Sequence, residues 1–354
     1  MDKFLVPAVA KPLDGEVEIA GAKNAVLAIM PAALLADGIS EISNVPHLKD
    51  MKTMSDVLRI IGCRIDGENH KLRIDTRGAN HLEAPYELVK TMRASFYVLG
   101  PLVARFGRCR VSLPGGCAWG PRPIDLHLKG LEALGAKIQG RGTRTLIIQG
   151  VESLTPGKGE TIADRIEAGT FLCGAVITRG RVKVTHMVPE HIMAVLNVFK
   201  EIGCDVAIGD SWVEVDARNK SLKPISVTTL PYPGFPTDLQ APLMATLASI
   251  EGNSLIQDTI YHDRFTHIAE LKRLGADIQL NGNTATIIGG KSLEGADVMA
   301  SDLRASAALV LSGLIAEGET TISRIYHLDR GYEDFEAKMA KLGATVSRIR
   351  PELA

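Results

Sequence analysis

The sequence lacks the features that would place it in a membrane, on nucleic acid or in an oxidising compartment. Its longest uncharged apolar runs, such as Ala25 to Ala36 and Ala305 to Ala316, are too short to span a bilayer. Lys and Arg number 40 and Asp and Glu number 41, so no bulk charge favours nucleic acid or an anionic membrane. Five cysteines in 354 residues do not make a disulfide scaffold, which predicts a reduced, cytoplasmic protein without a signal peptide.

Motifs for metals and dinucleotides are also missing. The chain has no HExxH, no paired CxxC and no GxGxxG after a strand, so we expect neither a metal nor a cofactor. Apolar residues make up 45% of the chain and charged residues 23%, the profile of a globular protein that buries substantial cores. The length suits two domains of ordinary size.

An internal repeat organises the chain. The string Leu/Ile-Gly-Ala/Cys-x-Ile/Val occurs five times, and its glycines lie 68 to 73 residues apart. An apolar helical segment that ends near a glycine also occurs five times. The first set of glycines is 62, 135, 203, 275 and 343, and the second set is 38, 107, 180, 252 and 318. Two landmarks with one period predict α/β units of about 70 residues.

Each unit is expected to run strand, apolar helix, strand, amphipathic helix and hairpin. Because the first helix is apolar on nearly all faces, it should lie inside its domain. The glycines of the second set are expected to cap these helices at their C-terminal ends.

Five equivalent positions near the starts of the apolar helices carry charged residues. A helix N-terminus has unpaired N–H groups and a positive partial charge, and is therefore a suitable place for an anion. Four of the positions add a cation and the fifth an acid, which favours a phosphorylated, acidic substrate and one catalytic base. These residues are Lys23, Arg93, Arg165, Asp238 and Arg304.

A loop rich in glycine and proline, residues 113 to 123, surrounds Cys117. Such a loop exposes its thiol, and nearby cations lower the pKa of a cysteine and make it reactive. The alternative is a glycine-rich loop with an incidental cysteine. The other four cysteines lie in apolar or strand contexts and are expected to be inert core residues.

Together these residues resemble the enolpyruvyl transferase family, and within it the UDP-N-acetylglucosamine 1-carboxyvinyltransferases. The matching strings run from one end of the chain to the other. They are GAKNA (21–25), KTMRAS (90–95), LPGGC (113–117), RPIDLH (122–127), FPTDLQA (235–241), DRF (263–265), DLRAS (302–306) and IYHLDRGYE (325–333).

The resemblance implies a two-domain inside-out α/β repeat fold with the active site in the cleft between the domains. One domain would be residues 23–161, with two units and the Cys117 loop, and the other would be residues 1–22 with 162–354, with three units. The implied reaction moves the enolpyruvyl group of phosphoenolpyruvate to the 3-hydroxyl of UDP-N-acetylglucosamine and releases phosphate. This is the first committed step of peptidoglycan synthesis, which supports the cell wall, cell shape and cell division.

The family also implies catalytic roles. Cys117 would protonate C3 of the enolpyruvyl group and react with epoxide inhibitors, while Asp238 would deprotonate the sugar hydroxyl. Lys23, Arg122 and Arg330 would hold the phosphate, and Arg264, Arg304 and Arg330 would lie near the carboxylate.

Further residues would bind the sugar nucleotide. Asn24, Arg93 and Asp238 would contact the sugar. The uridine pocket would contain Arg122, Pro123, Asp125, Leu126 and His127, and Ile260 completes the substrate-binding set.

The sequence departs from the family in having five units where the family has six. The third unit of the first domain is absent, and in the family it contacts the nucleotide diphosphate. Its loss should weaken nucleotide binding and leave apolar helix surface uncovered, and Trp119 and Pro121 also differ from the usual loop residues. Three interpretations stay open: an active enzyme, helped by homo-oligomerisation; a non-catalytic relative that binds the sugar nucleotide or a protein; and a chain shortened by the loss of one unit. Within the enzyme class, the shikimate-pathway transferase is the runner-up.

Overall fold

A computed structural model of the chain describes residues 2–81, 83–84, 97–106, 110–111, 137–139, 147–149 and 153–350. The chain divides into two compact units. The unit that we call the larger domain contains the residues up to Ile19 and those from Asp164 onward, and the smaller domain contains Ala20–Ala163.

The larger domain contains six of the described helices and most of the strands. Its helices are α4 (Arg165–Ile177), α5 (Met193–Ile202), α6 (Gln240–Ala248), α7 (His267–Arg273), α8 (Leu303–Gly313) and α9 (Phe335–Lys341). Its strands are β1 (Lys3–Pro7), β2 (Asp14–Glu18), β11 (Arg181–Thr185), β12 (Asp205–Ile208), β13 (Trp212–Asp216), β14 (Ser226–Thr229), β15 (Gly252–Asp258), β16 (Asp277–Asn281), β17 (Thr284–Gly289), β18 (Asp297–Met299), β19 (Glu319–Ser323) and β20 (Ser347–Ile349).

The smaller domain contains three described helices. They are α1 (Lys23–Ala32), α2 (Lys49–Ile61) and α3 (Leu99–Phe106). Its described strands are β3 (Ile39–Ser43), β4 (Arg64–Glu68), β5 (Lys71–Asp75), β6 (Glu83–Ala84), β7 (Arg110–Val111), β8 (Lys137–Gln139), β9 (Ile147–Gln149) and β10 (Lys158–Glu160).

Four of the described sheets have four strands and share one pattern, a parallel pair followed by two antiparallel pairings. The orders are β2-β11-β13-β12, β14-β15-β17-β16 and β18-β19-β1-β20 in the larger domain, and β10-β3-β5-β4 in the smaller. A shorter parallel pair, β6 with β7, and a short hairpin, β8 with β9, also occur. The predicted order of elements within a unit is therefore confirmed for the described units.

The N-terminal strand belongs to the sheet of the last unit. β1 lies between β19 and β20, with Phe4 opposite both Ile322 and Arg348. In the same way, β2 pairs in parallel with β11, far along the chain. Strands from the N-terminal end of the sequence therefore share sheets with strands from its C-terminal half within the larger domain.

The core of the larger domain is formed by α4, α6 and α8. Every residue of α4 from Ile166 to Ile177 is buried, as are all residues of α6 and those of α8 from Arg304 onward. Close approach depends on small residues, because a Cβ at Gly169 would lie 2.3 Å from the Leu239 side chain. The prediction that apolar helices lie inside the domain is confirmed here.

The corresponding helix of the smaller domain is less buried. In α1, Val26, Leu27, Met30 and Pro31 are buried, whereas Asn24 is exposed. Ala25, Ala28 and Ile29 are partly exposed. The prediction that this apolar helix lies wholly inside its domain is therefore wrong for α1.

The two sets of glycines have different roles in the structure. Gly62 and Gly203, at the ends of α2 and α5, have φ of 109° and 108° and are the left-handed caps. Gly252 and Gly318, from the other set, lie next to the strands that follow the apolar helices. The assignment as helix caps was wrong for Gly252 and Gly318, because several residues separate each of them from its helix. Gly107 lies outside the described residues.

None of the described helices combines the length and the apolar character that a bilayer crossing requires.

Candidate active site

The charged residues of the equivalent positions lie at the starts of the central helices. Lys23 and Arg165 are the first residues of α1 and α4, and Arg304 is the second residue of α8. Asp238 lies in the single helical turn Thr237–Leu239 that leads directly into α6. The predicted helix starts are confirmed for these four, and Arg93 lies outside the described residues.

Asp238 is held between two guanidinium groups. Its Oδ1 accepts a hydrogen bond from Nη1 of Arg264 at 2.5 Å, and its Oδ2 accepts one from Nη2 of Arg304 at 3.1 Å. Desolvation raises the pKa of Asp238, but the charges and hydrogen bonds of Arg304 and Arg264 outweigh it and hold the pKa below its ordinary value. The Asp238 side chain is 31% exposed, so an ionised carboxylate is accessible from solvent.

Arg304 is the most deeply placed cation of this cluster. Its side chain is 5% exposed, and Asp302 caps the helix by accepting from the backbone N–H groups of Arg304 and Ala305. Desolvation lowers the pKa of Arg304, yet the charge of Asp238 outweighs this effect, and the pKa of Arg304 lies above its ordinary value. Among the described residues, Nε and Nη1 of Arg304 have no hydrogen-bond partner. Buried N–H groups without a partner cost free energy, so the guanidinium is suited to an anionic ligand.

Asp258 organises the loops that hold Arg264 and Asp238. It is fully buried and accepts hydrogen bonds from the hydroxyls of Thr229 and Thr237 at 2.7 and 2.6 Å. The backbone N–H groups of Ile260 and Tyr261 also donate to Asp258. Sequence reasoning missed this residue, because a single acid at the end of a strand has no distinguishing spacing.

Arg165 adds a third guanidinium. Its guanidinium carbon lies 5.4 Å from the centroid of the Tyr232 ring. Burial lowers the pKa of Arg165, and the charges of Asp238 and Asp164 oppose that shift. The sequence pattern singled out this position, but Arg165 was left out of the predicted binding residues. Three cations around the carboxylate of Asp238 favour a ligand with negative charge.

The remaining described candidates lie in different surroundings. Arg330 ends the helical turn Ile325–Arg330 of the larger domain and is partly buried. In the smaller domain, Nζ of Lys23 lies 3.5 Å from Oδ2 of Asp50, a buried residue of α2. Ile260 is partly buried beside Asp258, and Asn24 is exposed.

Seven predicted residues lie outside the described part of the chain. They are Arg93, Cys117, Arg122, Pro123, Asp125, Leu126 and His127.

The described cysteines are core residues, as predicted. Cys63, Cys173 and Cys204 are buried and have free thiols. Burial raises the pKa of Cys63 to about 11 and those of Cys173 and Cys204 to about 12. Such thiols stay protonated at neutral pH and are poor nucleophiles.

Comparison with known families identifies the class of protein that this fold and cluster define. Residues 7–146 and 141–339 match the model of the family described as EPSP synthase (3-phosphoshikimate 1-carboxyvinyltransferase). The chain therefore belongs to this family of enolpyruvyl transferases.

Similar sequences narrow the family further. The chain is 44% identical to the UDP-N-acetylglucosamine 1-carboxyvinyltransferase of Chloroherpeton thalassium, with 98% of this chain and 97% of that protein covered. It is 43% identical to the enzyme of the same name from Acinetobacter baylyi, with 99% and 100% covered.

Solved structures support the fold. The enolpyruvyl transferase NikO from Streptomyces tendae matches with a TM-score of 0.86 at 23% identity, covering 98% of both chains. EPSP synthase from Acinetobacter baumannii matches with a TM-score of 0.71 at 16% identity, covering 99% of this chain and 100% of that one. At these identities the likeness establishes the fold alone.

The alignment lengths bear on the missing unit. The alignment to the Chloroherpeton protein extends over 419 residues, whereas this chain has 354. Subtracting 354 from 419 leaves at least 65 aligned positions without a residue of this chain. That difference is close to the length of one repeat unit.

Proposed function

We propose that this protein transfers the enolpyruvyl group of phosphoenolpyruvate to the 3-hydroxyl of UDP-N-acetylglucosamine and releases phosphate. The names of the relatives support this activity. The observation that carries it is the cluster of Asp238, Arg264 and Arg304. It combines one accessible carboxylate with the partly buried guanidinium of Arg264 and the buried, incompletely paired guanidinium of Arg304. Such a cluster can bind an anionic substrate and accept a proton from it.

The residues of the cluster suit two tasks in this reaction, binding the substrate carboxylate and accepting the hydroxyl proton. The substrate carboxylate supplies oxygen acceptors for the unpaired N–H groups of Arg304. As the substrate carboxylate competes for Arg304 and Arg264, the hold on Asp238 weakens, and its pKa rises towards the ordinary value. A carboxylate that is accessible and less tightly paired is a better base for the sugar hydroxyl.

The proposed reaction has two steps. In the first, the sugar oxygen bonds to C2 of phosphoenolpyruvate, Asp238 accepts the hydroxyl proton, and Cys117 gives a proton to C3. In the second, the C2–O bond to phosphate breaks, phosphate leaves, and C3 returns a proton to the thiolate of Cys117, which restores the double bond. Fixed cations stabilise the charged groups throughout. The roles of Cys117 and of Lys23, Arg122 and Arg330 at the phosphate stay predictions.

Other parts of the assignment are also proposals. We assign the substrate-binding residues, the domain boundaries at 23–161 and 1–22 with 162–354, and a cytoplasmic location as the sequence predicts them. We likewise expect that the partners are the two substrates, with neither nucleic acid nor membrane, and that the chain forms a homo-oligomer.

Phosphate release from phosphoenolpyruvate tests the proposal. We expect release that requires UDP-N-acetylglucosamine and that falls strongly in Cys117→Ser and Asp238→Asn. Lys291→Ala, which removes an exposed ion pair with Asp277, is the matched control and should keep its activity. Release that does not depend on the sugar nucleotide would contradict the proposal.

The missing unit favours a second candidate, a relative that binds the sugar nucleotide without turnover. A cooperatively folded protein that binds UDP-N-acetylglucosamine in calorimetry but releases no phosphate would establish it. An aggregated protein without activity would instead show that the absent unit is needed for folding.

A further inference from the structure

An aromatic stack lies beneath Arg304 in the larger domain. The rings of Phe171 and Phe335 are stacked with centroids 5.6 Å apart, and Tyr332 packs edge-on against Phe335 at 5.4 Å. All three side chains are almost completely buried. The guanidinium carbon of Arg304 lies 5.5 Å from the centroid of the Tyr332 ring. Tyr332 therefore connects the apolar core with the most buried cation of the cluster.

The hydroxyl of Tyr332 is fixed in a defined direction. Thr170 Oγ1 donates its single proton to the carbonyl oxygen of Ile166 at 2.9 Å. The 2.8 Å contact between Thr170 Oγ1 and Tyr332 Oη must then have Tyr332 as the donor. Burial raises the pKa of Tyr332, so the phenol keeps the proton that this hydrogen bond needs. Helix α4 thus holds the ring from the hydroxyl end.

Arg304 lies over the Tyr332 ring and still has two nitrogens without a hydrogen-bond partner among the described residues. The N–H groups of a guanidinium lie in its plane, whereas an aromatic ring contacts its face. Nη2 is bound to Asp238, and within the described part of the chain Nε and Nη1 have no partner. The ring and hydroxyl of Tyr332 therefore hold the guanidinium, since the hydroxyl also interacts with Arg304, while Nε and Nη1 stay available to a ligand.

We propose that Tyr332, held by Thr170, is a positioning residue that keeps Arg304 oriented for the carboxylate of the substrate. The inference rests on the proposed function, because it takes that carboxylate to be the one in phosphoenolpyruvate. Tyr332 acts through Arg304 and contacts no reacting atom. Its loss should therefore weaken the binding of phosphoenolpyruvate and spare that of the sugar nucleotide.

Three variants distinguish the contribution of the Tyr332 ring from that of its hydroxyl. Tyr332→Leu removes the aromatic face, Tyr332→Phe keeps the face and removes the hydroxyl, and Thr170→Val removes the acceptor. Phe335→Leu is the matched control, because it disturbs the same stack without touching Arg304. Calorimetric titration with phosphoenolpyruvate and steady-state kinetics for each substrate are measured on the full chain, together with thermal unfolding.

We expect Tyr332→Leu to weaken phosphoenolpyruvate binding about tenfold, the scale of one desolvated cation–π contact. Tyr332→Phe and Thr170→Val should weaken it two- to threefold, and the KM for the sugar nucleotide should change less than twofold in all three. Phe335→Leu should lower the melting temperature but leave phosphoenolpyruvate binding within about twofold. In an Arg304→Lys background, Tyr332→Leu should have little further effect, because the stacked partner is gone.

Two results would overturn the inference. One is an equal loss of phosphoenolpyruvate binding in Phe335→Leu and Tyr332→Leu, and the other is unchanged binding in every Tyr332 variant that folds. The wild type could bind phosphoenolpyruvate, and the variants could weaken that binding in the predicted order, without any turnover. In that case the proposed function fails and the positioning role stands. If the wild type does not bind phosphoenolpyruvate, both fail.

Discussion

Two equivalent helices, α8 in the larger domain and α1 in the smaller, show how a repeated sequence adapts to different surroundings. Each has a cation of the same repeat position in its first turn, Arg304 or Lys23. Helix α8 is buried almost throughout, and Arg304 is paired with Asp238 above the Tyr332 ring. Helix α1 buries about half of its residues, and Lys23 lies beside Asp50 of the neighbouring helix. The repeat fixes where the charge lies, and the neighbouring elements decide what the charge contacts.

The largest expected contrast comes from removing the carboxylate beside each cation. We expect Asp238→Asn to lower kcat by about 10²- to 10⁴-fold, because the proposed general base is lost. Asp50→Asn, the matched change beside Lys23, should lower kcat by less than about tenfold. Phosphate-release kinetics at saturating substrates give both values. Equal losses would mean that the acid beside Lys23 is as close to the chemistry as Asp238.

A second contrast lies in the response to acid. His267 is 1% exposed in the larger domain, and burial lowers its pKa from 6.5 to about 4. The unfolded chain therefore binds more protons between these values, so the free energy of unfolding falls as the pH drops from about 6.5 towards 4. The slope is at most about 1.4 kcal/mol per pH unit.

Unfolding of the full chain between pH 4 and 7, followed by calorimetry, measures this slope. His267→Gln should reduce the dependence of the transition that reports the larger domain. Because two domains need not unfold together, each transition is analysed separately. An unchanged slope in His267→Gln would assign the acid response to other groups.

The smallest expected contrast compares two core positions, each six residues after the cation of its helix. Val310 in α8 is fully buried, and Ile29 in α1 is partly exposed. Val310→Ala should lower the free energy of unfolding by about 2 kcal/mol, and Ile29→Ala by about 1 kcal/mol, although isoleucine loses more atoms. Chemical denaturation of the two variants tests this order. A larger loss at Ile29 would show that α1 is more tightly packed than its exposure indicates.

The repeat could be predicted well from the sequence, because each unit shows the same local patterns of apolar and charged residues. Strands such as Lys71–Asp75 and Trp212–Asp216 alternate in burial, and the central helices are apolar with a charge at the start. The exposure of α1 could not be predicted in the same way, since burial depends on neighbours rather than on the helix itself. The misassigned glycines show the same limit, because a glycine near a helix can serve the next strand.

The candidate site was only partly predictable for a similar reason. Asp238, Arg264 and Arg304 were named from the repeat and the family resemblance, and the structure brings these three together. Asp258, Tyr332 and Thr170 act through contacts between segments distant in sequence, and their types are common in any core. Such supporting residues become visible once the chain is folded.

The pairing of β1 with β19 has a consequence for synthesis on the ribosome. The N-terminal strand emerges first, but its partner is made more than 300 residues later. The smaller domain, in contrast, has all its residues once Ala163 has emerged. An inserted domain can then fold early while the strand that precedes it waits without a partner. The order of folding thus differs from the order of synthesis, and the first residues made are among the last to reach their native positions.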